Sequence, residues 1–141
     1  MALERASDEQ TLAFAHLDVR KMPAHWLMAR LGKRVLRPGG VETTRWLLEQ
    51  GEITSADEVV EFAPGLGVTA TRIVAHRPAA YVGVERDETA RDFVLKALRA
   101  AGYGSLRARV LQADASRVPL PGGSATVVIG EAMLSMQPAS K

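Results

Sequence analysis

The chain has 141 residues, 47% hydrophobic and 24% charged, with no low-complexity tract; this is the composition of one folded domain with a real core, and it excludes a largely disordered chain. Its 18 Lys+Arg against 16 Asp+Glu leave a formal charge of +2, too little to demand a nucleic-acid partner, and none is expected. The lack of cysteine excludes disulfides, zinc-thiolate sites and thiol nucleophiles together.

The opening "MALERASDEQTLAF" carries acids where a secretory signal is basic, and no segment approaches the roughly 20 apolar residues of a membrane span, so a cytoplasmic location is expected. Residues 1–37 read as a helical segment. Ser7 is placed to cap a helix over "DEQTLAFAHLDV", and a second short helix is expected over "AHWLMARL" after Pro23. Arg20, Lys21, Arg30, Lys33, Arg34 and Arg37 cluster there with Asp18 as the nearby offset. Such a cluster reads as a solvated face, or as an attraction for an anionic substrate or partner. His16, His25 and His76 lack the paired spacing of a metal-binding helix, and no metal is expected.

"RPGG" at 37–40 breaks this segment and opens a helix over "VETTRWLLEQ", with Val41, Thr44 and Leu48 on one face and Gly51 as its stop. From Glu58 onward short apolar strands alternate with amphipathic helices, the pattern of βαβ units in a parallel sheet. Strand 1 is "EVVEFA" (58–63), followed by a helical face of Leu66, Ala70, Ile73 and Val74 that ends before Pro78. Strand 2 is "YVGVE" (81–85). The next helix aligns Ala90, Phe93, Val94, Ala97, Leu98 and Ala101 and is closed by Gly102. "RARVLQA" (107–113) is strand 3. After the turn "PLPGGS", "ATVVIGE" (125–131) is strand 4, its "VVI" apolar on both faces.

Between strand 1 and its helix lies "EFAPGLGVTA". Gly65 and Gly67 there let a ligand approach the backbone and the exposed N–H groups of a helix start, an arrangement suited to anionic or carboxylate groups. A dinucleotide fingerprint, G-x-G-x-x-G, would need glycine where this frame has Ala63 and Val68, which counts against an NAD(P)-binding oxidoreductase. What fits is acidic-x-small-x-Gly-x-Gly, in Glu61, Ala63, Gly65 and Gly67. Glu85 then ends strand 2 about 20 residues beyond the loop, where a carboxylate can accept from both ribose hydroxyls. Asp114 follows strand 3 in "LQADASRVPLPGGSATVVI".

These residues together resemble the class I S-adenosylmethionine-dependent methyltransferases, over residues 38–141. The resemblance implies an α/β fold, a doubly wound and mostly parallel Rossmann-like sheet, here its N-terminal half, preceded by the helical segment. It implies S-adenosylmethionine as cofactor, S-adenosylhomocysteine as product, and no metal. By resemblance, Gly65 and Gly67, with Ala63 in place of the usual first glycine, lie against the methionine end and adenosine. Glu61 serves the amino group directly or through water, Glu85 with Arg86 beside it the ribose, and Asp114 with Ala115 the adenine edge. Glu131 closes this set after strand 4, either as a base or as the cap of a following helix. No catalytic residue is assigned.

The segment "GEAMLSM" lacks the Asn/Asp-Pro-Pro-aromatic motif of members acting on amide or base nitrogens, so a small-molecule acceptor is expected. Met133, Leu134 and Met136 within it do not choose among acceptors. A non-catalytic S-adenosylmethionine-binding module would need the same loop. The family's sheet continues beyond strand 4. This chain is therefore expected to be a fragment, or to complete its exposed strand 4 edge by pairing with a second copy.

Overall fold

A computed structural model of the chain describes residues 18–33, 36–104 and 107–134. The chain divides into two compact units, residues 1–36 and 37–141. In the first, helix α1 (Ala24–Arg30) starts directly after Pro23, whose fixed φ suits a helix entry, and buries Trp26 and Ala29. Gly32 closes it in a left-handed conformation. Ser7 and Arg34 lie outside the described residues.

The second unit is built on helices α2 (Gly40–Gly51), α3 (Val68–Ala75) and α4 (Glu88–Ala100) and strands β1 (Glu58–Phe62), β2 (Ala80–Glu85), β3 (Ala108–Gln112) and β4 (Val127–Gly130). The four strands form one parallel sheet in the order β3-β2-β1-β4. Strands β1, β3 and β4 are shorter than their sequence patterns, and β2 begins one residue earlier, at Ala80. The end residues Ala63, Ala113 and Glu131 bend away into the loops that carry the site.

Successive strand residues face opposite sides of the sheet. One side carries Val59, Tyr81 and Ile129, which pack with Leu48 of α2, Ala70, Ile73 and Val74 of α3, and Val94 and Leu98 of α4. Burying each of these large aliphatic side chains contributes about 1.5–3 kcal/mol. The other side carries Val60, Val82 and Val84, covered by Val118, Leu120 and Ala125 from the segment between β3 and β4. That cover stops short of β4: Val128 is 59% exposed, so "VVI" is not apolar on two buried faces as its composition suggested.

Helix α4 has the most regular apolar period and the best-defined ends. Asp87 caps it by accepting from the Ala90 N–H at 2.8 Å, Glu88 stands in its first turn and Arg99 in its last. Ala101, expected on its buried face, is instead the exposed cap residue. The expected stop at Gly51 moves by one residue: Gly51 remains helical and Glu52 takes the left-handed turn at φ 42°. Leu66 is buried but precedes α3. No described helix is long and apolar enough to cross a membrane.

Candidate functional site

The C-terminal ends of parallel strands are where an open α/β sheet binds ligands, since the strand-to-helix loops and helix starts converge there. In this chain the β1 loop, the β2 end and the β3 end bring Ala63, Gly65, Glu85, Arg86 and Asp114 to that edge.

The loop is built on three residues at positive φ: Ala63 at 52°, Gly65 at 59° and Gly67 at 79°. Glycine meets this demand without strain, whereas alanine at Ala63 costs about 1–2 kcal/mol, so the loop holds a departure from the glycine pattern at an energetic cost. The two glycines serve different purposes. A Cβ at Gly65 would meet nothing closer than the Ala63 carbonyl oxygen at 3.9 Å, leaving that face open to a ligand. A Cβ at Gly67 would come within 3.1 Å of Ala97 Cβ and 3.2 Å of Val94 Cα. Gly67, read from sequence as a ligand contact, lets α4 pack close to the loop, and its N–H closes a turn onto the Pro64 carbonyl at 2.9 Å.

Glu85 is the pivot of the edge. Only 6% exposed, it accepts from the Gly65 N–H at 3.2 Å through Oε2 and from the Asp87 N–H at 3.1 Å through Oε1. Burial raises its pKa, and the two backbone donors pull the other way. One carboxylate thus ties the glycine loop to the start of α4.

Asp114 is more exposed. Its Oδ1 accepts from the Ser116 N–H at 2.8 Å and from Ser116 Oγ at 2.7 Å, which holds its carboxyl below the usual range. Oδ2 stands 3.9 Å from Arg86 Nη1, a solvent-exposed pair worth little by itself that leaves Oδ2 accessible. Ala115, half-buried, continues the same turn.

Glu61, expected at the amino group of the ligand, lies near the end of β1. It faces the helix-covered side of the sheet, 3% exposed, and accepts a 2.6 Å hydrogen bond from the Tyr81 hydroxyl. Desolvation raises its pKa to about 8, with the Tyr81 bond partly offsetting. Tyr81 is itself pushed well above its ordinary value by burial and by the neighbouring carboxyl. Gly83 makes this pair feasible, because a Cβ there would sit 3.0 Å from Tyr81 Oη and 3.3 Å from Pro64 Cγ. A glycine in mid-strand signals such a close approach in the sequence.

Glu131 caps no helix among the described residues. Its carboxylate is ion-paired with Arg37 Nε at 2.6 Å and accepts from Thr44 Oγ1 at 2.8 Å and Thr69 Oγ1 at 2.6 Å. Arg37, counted from sequence in a basic cluster read as a solvated face or as an attraction for an anion, is a largely buried partner of the segment after β4. Sequence reasoning missed Tyr81, Thr44 and Thr69 as site residues; the available signal was two threonines at helical positions that face the core. Met136 lies outside the described residues, and among those described no group of three or more His, Cys, Asp or Glu could hold a metal ion.

No family model matches the chain. An uncharacterized protein of Haemophilus influenzae is 36% identical over 114 residues, 81% of this chain, and the chain spans under half of that protein, 45%. Among solved structures, a dimethyladenosine transferase from Plasmodium falciparum is similar with a TM-score of 0.59 and 18% identity, over 70% of this chain and 33% of that one. An RNA methyltransferase from Salinibacter ruber, in complex with S-adenosyl-L-homocysteine, is similar with a TM-score of 0.58 and 22% identity, over 66% of this chain and 59% of that one. An S-adenosylmethionine-dependent methyltransferase from Aquifex aeolicus gives 0.52 and 13%, over 62% and 46%. The chain has the Rossmann-like fold of class I S-adenosylmethionine-dependent methyltransferases.

Proposed function

We propose that residues 38–141 bind S-adenosylmethionine across the β1, β2 and β3 ends and take part in methyl transfer to a small-molecule acceptor. The observation that carries this reading is Glu85: a buried carboxylate at the end of β2, fixed by the Gly65 and Asp87 N–H groups beside an open glycine face. A carboxylate so held keeps lone pairs for two vicinal hydroxyls. The residues present fit the group. Gly65 leaves room for the ligand against the backbone, Asp114 Oδ2 is accessible to an amino donor, and Ala115 lies beside it. Gly67 supports the site by letting α4 approach, and Glu61 by filling the space under the loop with Tyr81.

When bound, S-adenosylmethionine would supply a methyl group on a sulfonium, which the acceptor takes in line as the neutral thioether of S-adenosylhomocysteine leaves. The protein's task is to fix the donor and exclude water, and no nucleophilic side chain is needed. The small-molecule acceptor rests on "GEAM" (130–133), which lacks the motif for amide or base nitrogens. Binding without transfer is the second reading. It is favoured by Glu131, the ionisable group at the β4 exit, being engaged by Arg37 and two threonines rather than standing open as a base.

A thermal-shift titration tests the cofactor, because a ligand of the folded state raises apparent stability. S-adenosylhomocysteine and S-adenosylmethionine should raise Tm and NAD should not; stabilisation by NAD alone would refute the reading. Methyl transfer to candidate acceptors, followed with labelled donor, separates the two readings.

A further inference from the structure

The adenosine reading leaves unused a densely connected polar cluster among the described residues of the second unit. Three donors converge on one carboxylate: Arg37 Nε and Thr44 Oγ1 on Glu131 Oε2, and Thr69 Oγ1 on Oε1. Arg37 Nη2 also donates to Thr69 Oγ1 at 2.8 Å, Arg37 Nε donates to Thr44 Oγ1 at 3.0 Å, and Nη2 reaches Thr44 Oγ1 as well. Thr44 and Thr69 are 0% and 2% exposed. Burying hydroxyls and a guanidinium in this way is unfavourable unless an anion completes the set. The chain therefore carries a preformed cradle for a carboxylate, and its occupant is one of its own.

That occupant stands on a strained mount. Glu131 is followed by Ala132 at φ 57°, a conformation that costs a non-glycine residue about 1–2 kcal/mol and persists only where neighbouring contacts impose it. Beside it opens a cavity of about 190 Å³ lined by Arg37, Trp46, Leu47, Gly130 and Ala132, large enough to receive a displaced carboxylate. Thr69 is the second residue of α3, directly after the glycine loop, so the cradle lies on the loop's helix side.

We propose that Arg37, Thr44 and Thr69 form a binding site for a ligand's carboxylate, and that Glu131 is a resident competitor which the incoming carboxylate displaces. Through the S-adenosylmethionine reading, on which this assignment rests, the carboxylate belongs to the ligand's amino-acid end. Two carboxylates on one guanidinium repel, so entry requires Glu131 to swing toward the cavity, which relieves Ala132. The affinity for the amino-acid end is lowered by the fraction of molecules in which Glu131 holds the site.

The test is isothermal titration of wild type, Glu131→Gln and Arg37→Lys with S-adenosylhomocysteine and with methylthioadenosine, which lacks the amino-acid end. The Glu131→Gln side chain keeps an acceptor oxygen for the threonines but not the charge, so this variant should bind S-adenosylhomocysteine about fivefold or more tighter and methylthioadenosine within about twofold of wild type. Arg37→Lys, which loses the guanidinium fork, should weaken S-adenosylhomocysteine alone by a similar factor. Glu131→Gln binding S-adenosylhomocysteine no tighter, or either variant changing both ligands equally, overturns the proposal. Wild type that binds neither ligand refutes the adenosyl reading instead. The cradle is then tested with acetate alone, which should raise the Tm of Glu131→Gln but not of wild type; equal shifts overturn it.

Discussion

Replacing Glu61 by Gln should remove a pH dependence that the folded chain otherwise carries. Glu61 titrates near pH 8 in the fold against an ordinary value of 4.5, mainly because burial disfavours its charged form. Such a carboxyl keeps its proton in the folded chain where the unfolded chain has lost it. Its contribution is therefore fully present below about pH 4.5 and is lost as pH rises toward 8. One proton changes stability by about 1.4 kcal/mol per pH unit, so the loss by pH 7 is about 3 kcal/mol, a large share of a small domain's 5–15 kcal/mol. Gln at this position keeps the acceptor for Tyr81 Oη and has nothing to titrate. Urea unfolding of both proteins at pH 5, 6, 7 and 8 measures the effect: the stability gap should move in favour of Glu61→Gln by about 3–4 kcal/mol across the series. Glu85, also raised by burial, contributes a decline in the same direction to both proteins. Parallel pH profiles would refute the assignment of a neutral buried carboxyl.

Ala63→Gly relieves a left-handed alanine and should raise stability by about 0.5–1 kcal/mol after the added unfolded-state entropy of glycine, read as a higher Tm; a lower Tm contradicts the loop geometry. Gly67→Ala combines an unfavourable φ with contacts of 3.1 and 3.2 Å against α4, and should cost about 2–4 kcal/mol in urea unfolding, whereas a neutral result would mean α4 does not approach the loop so closely. Val128→Lys places a charge on the exposed edge strand β4. If copies pair there, sedimentation should move from dimer to monomer, and a wild-type chain that is monomeric throughout removes the idea.

The alternation of strands and helices was legible because it follows from which faces are buried: Val59 and Val60 on β1, and Ala90, Val94 and Leu98 on α4, are placed by period alone. The glycine loop was legible as an exception to that period. The division of labour within it was not, since nothing local says that Gly65 faces open space and Gly67 faces α4. Glu131 illustrates the same limit more strongly. Its partners Arg37, Thr44 and Thr69 lie 94, 87 and 62 residues away by their numbering, and they meet because the sheet sets β4 beside β1. Thr44 reads as a tolerable polar residue on a helix until that topology brings a carboxylate to it. Val128 departs from its pattern for a similar reason: composition gives apolarity, but only the arrangement of neighbours decides whether a face is covered.

The most direct test of the central claim is a crystal structure of the chain with S-adenosylhomocysteine. The account predicts the ribose hydroxyls within hydrogen-bond distance of the Glu85 carboxylate, the adenine edge beside Asp114 and Ala115, and the chain from Ala63 to Gly65 in van der Waals contact with the ligand. Ligand bound elsewhere, for example in the cavity of about 360 Å³ lined by Glu58, Ala80, Arg107 and Arg109 at the opposite strand ends, with Glu85 untouched, would contradict it.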